Sequence, residues 1–470
     1  MPNSAYDYDL VVIGSGPGGQ RAAIQAAKLR KKVALIERKG VLGGVCVNTG
    51  TIPSKTLREA VVRLAGLRDR EVYGDSYSVK SDITVQDLLY RVDHVIRHEL
   101  DTIRSQLQRN HVDLIAAEAS FVDPHRLRFK FLDGSTFREV TAASVIIAVG
   151  TGAARDPHIP FDGKRVMVSD DIQGMTTLPR TMTVVGAGVI GLEYASIFAA
   201  LGVRVTLVDK RNRVMPNLDT EIVETLDYHL RECRLTMRLN EEVSGIEHFT
   251  DERGEFVRMT LASGKQLVSE VALYSIGRMG ATSELNLAAV GLQADDRGRL
   301  KVNKDYQTAV PHIYAVGDVI GFPSLASTSM EQGRLAACHA LGAACTSMPE
   351  LFPYAIYTIP EISYVGKTEE ELTIAGIPFE TGRATYKEIA KGQIIGDQTG
   401  MVKLIFHLKT HELLGVHIIG EGASELIHIG QAVLASGLKV EYFRDTVFNF
   451  PTLAEAYKSA AFDGLNRLGG

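Results

Sequence analysis

The sequence predicts an α/β chain in which two three-layer ββα domains of one plan are followed by a smaller C-terminal α+β domain. Three observations carry this. The pattern GxGxxG occurs twice, at Gly14, Gly16, Gly19 and at Gly186, Gly188, Gly191, each time after an apolar run (residues 10–13 and 182–185) and before an alanine-rich helical segment. Each of these units is followed by a hairpin and then by an apolar strand that ends in glycine. From about Phe352 the pattern changes to strands with long polar connections, and no third copy of the fingerprint appears.

Each copy has the order that a dinucleotide pyrophosphate requires. The first glycine allows the turn, the second lets the backbone approach the pyrophosphate, and the third lets helix and strand pack closely. The helix N-terminus then offers unpaired N–H groups and a favourable dipole to negative charge. A second strand follows in each copy, residues 33–36 and 203–208, and ends in an acid, Glu37 or Asp209, that can accept a hydrogen bond from a ribose hydroxyl. The spacing from third glycine to acid is the same in both copies. One GxGxxG is weak evidence; two in the same setting predict two dinucleotide sites.

In the first copy Leu127, Phe129 and Phe131 alternate before a turn at Asp133-Gly134, and the closing strand, 145–149, ends at Gly150. In the second, 256–261 leads to a turn at Ser263-Gly264, and the closing strand, 271–276, ends at Gly277. The first copy alone has a long helical insert, where Val85, Leu88, Leu89, Val92, Val95, Ile96, Ile103 and Leu107 recur at helical spacing and read as core packing. A third apolar strand, 313–316, ends in Gly317-Asp318 and reads as a return to the first domain. Strands at 361–365, 401–408 and 412–419 and a helix at 424–438 read as a domain that buries an interface. The expected division is residues 1–155 with 280–350, then 156–279, then 351–470.

A hydrophobic content of 45% and a charged content of 23% are ordinary for a soluble globular chain. The formal net charge of -5 gives no electrostatic argument for nucleic acid or an anionic membrane. No apolar run is long enough to span a bilayer and no targeting segment precedes the first strand, so the cytoplasm is expected. Cys46, Cys233, Cys338 and Cys345 do not form a secreted disulfide framework, and the last three lack metal-ligand spacing.

Between the first fingerprint and the long helix lies Gly43-Gly44-Val45-Cys46-Val47-Asn48-Thr49-Gly50-Thr51-Ile52-Pro53-Ser54-Lys55. With Gly277-Arg278, Gly317-Asp318 and Phe448-Asn449-Phe450-Pro451-Thr452-Leu453-Ala454-Glu455, it resembles the flavoprotein disulfide reductase family, which contains lipoamide dehydrogenase, glutathione reductase and mercuric reductase. The resemblance runs from about residue 8 to 465 and implies FAD as cofactor, NAD(H) and NADP(H) as substrates, and a two-fold homodimer made by the C-terminal domain. It implies that the first fingerprint and Glu37 hold the ADP part of FAD and that Asp318 bonds the ribityl chain. It also implies that Lys55 lies beside flavin N5 with Glu193 as its partner. Gly150, Cys46, Thr51, Leu325 and Ala326 complete the expected flavin-side set, and Gly277 and Arg278 the nicotinamide side.

Two departures from that family decide the expected chemistry. Where it has a second cysteine this chain has Thr51, so Cys46 has no disulfide partner; a hydroxyl has neither the low pKa nor the two-electron chemistry of a thiolate. Where it has a catalytic histidine this chain has Phe450, so no general acid remains there, although Glu455 is present. Disulfide substrates are therefore excluded and electrons must leave otherwise. The soluble, Si-specific pyridine nucleotide transhydrogenases resemble this chain in both departures, which implies hydride transfer from NADPH to NAD+ by a ping-pong route. Two alternatives stay open: an NAD(P)H-dependent quinone or dye reductase, and a redox-sensing flavoprotein with Cys46 as an oxidisable thiol. In the second nucleotide site Asp209 favours NAD(H), whereas Lys210, Arg211 and Arg213 could meet a 2′-phosphate or could equally form a solvated loop.

Overall fold

The computed structural model describes residues 5–66, 83–132, 134, 136–252 and 254–469. They separate into two compact units, one built from residues up to 56 with 89–154 and 277–349, the other from 57–88, 155–276 and 350 onward.

In the first unit the parallel strands run Asp113–Asp123, Val33–Glu37, Tyr8–Ile13, Phe137–Ile147 and Ile313–Ala315 in spatial order. Asp113–Asp123 and Phe137–Ile147 continue past the parallel region and pair with Arg126–Phe131 as an antiparallel meander. The closing strand read as 145–149 is thus the end of a longer strand. Asp133 of the expected turn lies outside the described residues, and Gly134 has φ +72°. The alternation of side chains across a strand feeds two cores: Leu10 and Val12 pack with the helix Pro17–Lys28, while Val11 and Ile13 pack under the meander with Phe121, Leu127 and Phe129. The insert forms the helix Val85–Arg109, and its Ile103 and Leu107 are buried in the first of these cores. Helix Ala326–Ala340 lies against Pro17–Lys28, and the approach requires glycine: a Cβ on Gly333 would stand 2.0 Å from the Gly18 carbonyl oxygen.

In the second unit a parallel sheet runs Thr236–Leu239, Arg204–Asp209, Thr181–Val185, Val271–Tyr274, Val166–Val168. Beside it the meander Val243–Asp251, Gly254–Leu261, Gln266–Ser269 turns at Ser263-Gly264 as expected, with the Gly264 N–H donating to the Leu261 carbonyl. The C-terminal part is an antiparallel sheet ordered Tyr354–Ile356, Ile362–Gly366, Leu413–Ile419, Met401–His407, Phe379–Thr385. Its first and last strands were not expected, the first being only three residues long and the last mostly polar and small. The helix Ala423–Ala435 covers it and stops short of the expected residue 438, because Gly437 takes φ +62° and turns the chain.

Lys403, central in this sheet, is 1% exposed and bonds both Asp219 oxygens at 2.9 Å, with Glu221 at 3.1 Å and Glu369 also on its ammonium. Asp219 caps helix Thr220–Glu232 by accepting from the Glu221 N–H. One ammonium therefore ties the start of that helix to the C-terminal sheet.

Candidate nucleotide and redox sites

Both fingerprints have the same local geometry. Gly14 and Gly186 take φ +105° and +101°, and a Cβ there would stand 2.4 Å from the Ala148 oxygen and 2.8 Å from the Ser275 oxygen. At Gly19 and Gly191 it would stand 1.9 Å from the carbonyl oxygens of Gly14 and Gly186. At the middle glycines, Gly16 and Gly188, it would meet nothing within 4 Å. These two are the N-cap residues of the helices Pro17–Lys28 and Val189–Ala200, neither of which has a side-chain cap or an acid in its first turn. Donors at a helix start with open space before them are what a pyrophosphate needs, so the residues present fit FAD at the first site and a nicotinamide dinucleotide at the second.

The acids differ. Glu37 Oε2 accepts from the Ser15 N–H at 3.2 Å and the Ser15 hydroxyl at 2.5 Å, and Oε1 from the Lys39 N–H at 2.9 Å. Asp209 accepts from the Ala187 N–H at 2.6 Å, the Arg211 N–H at 2.8 Å, and the Arg211 side chain twice, Nε at 2.8 Å and Nη2 at 2.7 Å. Burial alone would raise the Asp209 pKa, but the Arg211 guanidinium and the Ala187 amide hold it below the ordinary value. Lys210 lies 3.7 Å from Glu242, and Arg213 donates to the Leu218 carbonyl.

Ser15, between the first two glycines, escaped the sequence reading. Its hydroxyl also accepts from the Gly43 N–H at 3.1 Å, joining fingerprint, acid and redox segment. A Cβ on Gly44 would stand 2.9 Å from Gly16 Cα, so the short helix Gly44–Asn48 rests on the fingerprint and brings Cys46 there. Thr51 opens the next helix, Thr51–Leu64, and its hydroxyl lies close enough to the Cys46 thiol to favour the ionised form. Burial pushes the Cys46 thiol up, with the Thr51 hydroxyl acting the other way. Because the two side chains meet, Thr51→Cys is expected to close a disulfide. Thiol titration of the denatured, unreduced variant should find three of its five cysteines; five would show that the side chains stay apart.

Asp318 accepts from the Thr151 hydroxyl at 3.2 Å, and Arg278 donates through Nε to that hydroxyl at 2.8 Å and through Nη2 to the Thr151 carbonyl at 2.9 Å. The Gly150 and Gly277 carbonyls accept from the Ala281 and Ala154 N–H groups. Thr151, the second residue missed, thus joins Arg278 and Asp318 in the first unit, with Gly150 and Gly277 held alongside by the backbone. Leu325 and Ala326 form the start of helix Ala326–Ala340, where the Leu325 carbonyl accepts from the Ser329 N–H and hydroxyl. Lys55 belongs to the first unit, with its ammonium 3.3 Å from the Ser54 hydroxyl. Glu193 belongs to the second, is 4% exposed, and accepts from the Tyr357 N–H at 2.8 Å. Phe450 is 74% exposed, in the segment before helix Glu455–Arg467.

Comparison with known proteins agrees with this anatomy. Residues 8–333 match the pyridine nucleotide-disulphide oxidoreductase model and 352–461 the dimerisation domain of the same name. The chain is 54% identical to a soluble pyridine nucleotide transhydrogenase of Mycobacterium bovis over 98% of both chains, and 46% identical to one of Escherichia coli over 100% of both. Among solved structures it is similar to LpdA of Mycobacterium tuberculosis (27% identity, TM-score 0.88, 98% of this chain and 100% of that one). It is equally similar in sequence to the HOCl-induced flavoprotein disulfide reductase RclA of Escherichia coli (27% identity, TM-score 0.86, 97% and 99%). The chain belongs to the pyridine nucleotide-disulphide oxidoreductase family.

Proposed function

We propose that this protein is an FAD-dependent soluble pyridine nucleotide transhydrogenase that moves hydride from NADPH to NAD+, the two nucleotides taking turns at the second fingerprint. The observation that carries the reading is Thr51 beside Cys46: two fingerprints of the same geometry are present, but the thiol has a hydroxyl for neighbour where a disulfide exit needs sulfur. The curated relatives named above point the same way. FAD, when bound, supplies a two-electron carrier that one nicotinamide reduces and another oxidises.

The residues have separate tasks. Gly16 and the helix behind it receive the FAD pyrophosphate, and Glu37 takes a ribose hydroxyl. Asp318, held by Thr151, accepts from the ribityl chain; Gly150, Leu325 and Ala326 line the same cofactor with Cys46 and Thr51. Lys55 supplies a fixed positive charge beside the flavin ring. Gly188 admits the nicotinamide pyrophosphate, Asp209 with Lys210 and Arg211 reads the adenosine ribose, and Gly277 and Arg278 border the nicotinamide. Residues 1–155 with 280–350 form the FAD domain, 156–279 the NAD(P) domain and 351–470 the interface of a homodimer, for which the exposed Phe450 and Val447 (90%) supply apolar surface. No helix among the described residues is long and apolar enough to cross a membrane, and the enzyme works in the cytoplasm.

The test is anaerobic incubation of the FAD-bound enzyme with NADPH and thio-NAD+, following thio-NADH at its own absorbance. Sustained turnover with parallel double-reciprocal lines in the two nucleotides is expected. Flavin reduction without thio-NADH would overturn the reading, and turnover with a quinone instead would make the protein a quinone reductase.

A further inference from the structure

The two ribose-reading acids differ in one respect that bears on how a single site takes two nucleotides. A carboxylate offers about four acceptor positions. Glu37 has three donors on it, all uncharged: the Ser15 N–H, the Ser15 hydroxyl and the Lys39 N–H. One position is left for a ribose hydroxyl. Asp209 has four donors on it, two of them from the Arg211 guanidinium. The acid that should read the 2′-hydroxyl is therefore saturated, and it is saturated by a side chain that can move. Asp209 is buried, whereas the Arg211 side chain is 42% exposed.

A guanidinium carries five N–H donors in a fixed fork. The Asp209 pair uses Nε–H and one on Nη2, so three remain on the opposite edge, where the fork matches a phosphate. Of the neighbouring basic residues, Arg213 is engaged with the Leu218 carbonyl and, at 3.8 Å, Glu370, and the exposed Lys210 lies 3.7 Å from Glu242.

We infer that Arg211 is the specificity switch of the second site: it stays on Asp209 and bridges to the 2′-phosphate of NADP(H), and it swings off Asp209 to free two acceptor positions for the ribose diol of NAD(H). In the closed pair the carboxylate charge that would repel a 2′-phosphate is neutralised. In the open pair the bare carboxylate accepts hydroxyls. NAD+ therefore binds only the fraction of molecules in which the pair has opened, and its apparent affinity is reduced by that fraction.

The inference rests on the transhydrogenase reading, and calorimetric titration of the FAD-bound enzyme with NAD+ and with NADP+ separates the two. Wild type is expected to bind both; binding of only one nucleotide or neither would overturn the reading and the inference together. Arg211→Ala is expected to weaken NADP+ by about tenfold or more, since a bidentate phosphate contact is lost, and to tighten NAD+ by about threefold or more, since no pair has to open. In the Asp209→Asn background the same substitution should leave NAD+ binding unchanged. A plain phosphate-binding arginine would not improve NAD+ binding when removed. Unchanged or weaker NAD+ binding in Arg211→Ala, or a gain that persists without Asp209, would overturn the switch while leaving the transhydrogenase reading intact.

Discussion

Gly16→Ala is expected to yield a folded protein that purifies without FAD. Gly16 has φ −65° and ψ 179°, values alanine adopts freely, and its Cβ would meet no atom within 4 Å. Folding stability should therefore change by no more than about 0.5 kcal/mol. The methyl group would instead stand where the backbone has to approach the pyrophosphate, and less than about a tenth of the protein should retain flavin by its absorbance. Gly188→Ala makes the matching change in the second copy: the protein should stay yellow but resist reduction by NADPH. Gly19→Ala is the contrast, because its Cβ would lie 1.9 Å from the Gly14 oxygen and the turn itself has to give way; little soluble protein is expected. Full flavin content in Gly16→Ala would show that the first fingerprint does not hold the pyrophosphate.

The largest loss of stability is expected at Lys403. Lys403→Met removes the ammonium shared by Asp219, Glu221 and Glu369 and leaves Asp219, itself 1% exposed, as an uncompensated buried carboxylate. Breaking one partner of a buried pair costs about 3–5 kcal/mol, and thermal unfolding should begin roughly 5–15 °C lower. The pH dependence has a definite sign. Burial alone would lower the Lys403 pKa, but hydrogen bonds to Glu369 and Asp219 raise it above the ordinary value. Its contribution is therefore complete below the unfolded lysine pKa of about 10.4 and is lost only as pH rises through the higher folded value. Melting temperatures measured from pH 7 to 11 should show a fall above about pH 10 that disappears in Lys403→Met. Equal melting temperatures for the two proteins at pH 8 would contradict this account.

What the sequence disclosed is local, and what it concealed is distant. Each fingerprint puts turn, helix start and acid within one short βαβ stretch, so glycine spacing and two apolar runs were sufficient to find them. Thr151 went unnoticed because its partners, Arg278 and Asp318, lie far along the chain, and Ser15 because a hydroxyl between two glycines gives no sign that it will meet Glu37 and Gly43. A small hydroxyl residue beside a glycine carries no periodic signal. Phe379–Thr385 was missed for a related reason: past Phe379 it has no apolar alternation, and pairing along Met401–His407 makes it a strand. Lys403 stands between apolar neighbours in the sequence, and only the fold brings three carboxylates to it. The Asp209 to Arg211 pair spans two positions, yet spacing alone could not tell an engaged arginine from a free one.

The order of the strands also bears on how this chain can be made. Ile313–Ala315 pairs with Phe137–Ile147 in the sheet of the first fingerprint, and everything from Arg155 to Ile276 lies in the other unit. During synthesis the earlier strand must wait for more than a hundred and fifty residues before its neighbour leaves the ribosome, on the order of 10–30 s at ordinary elongation rates. Throughout that interval Phe137–Ile147 exposes an unpaired edge. The intervening nucleotide-binding sheet consists of strands close in sequence and can form first. The flavin contact proposed for Asp318 becomes available only after this closing strand has emerged.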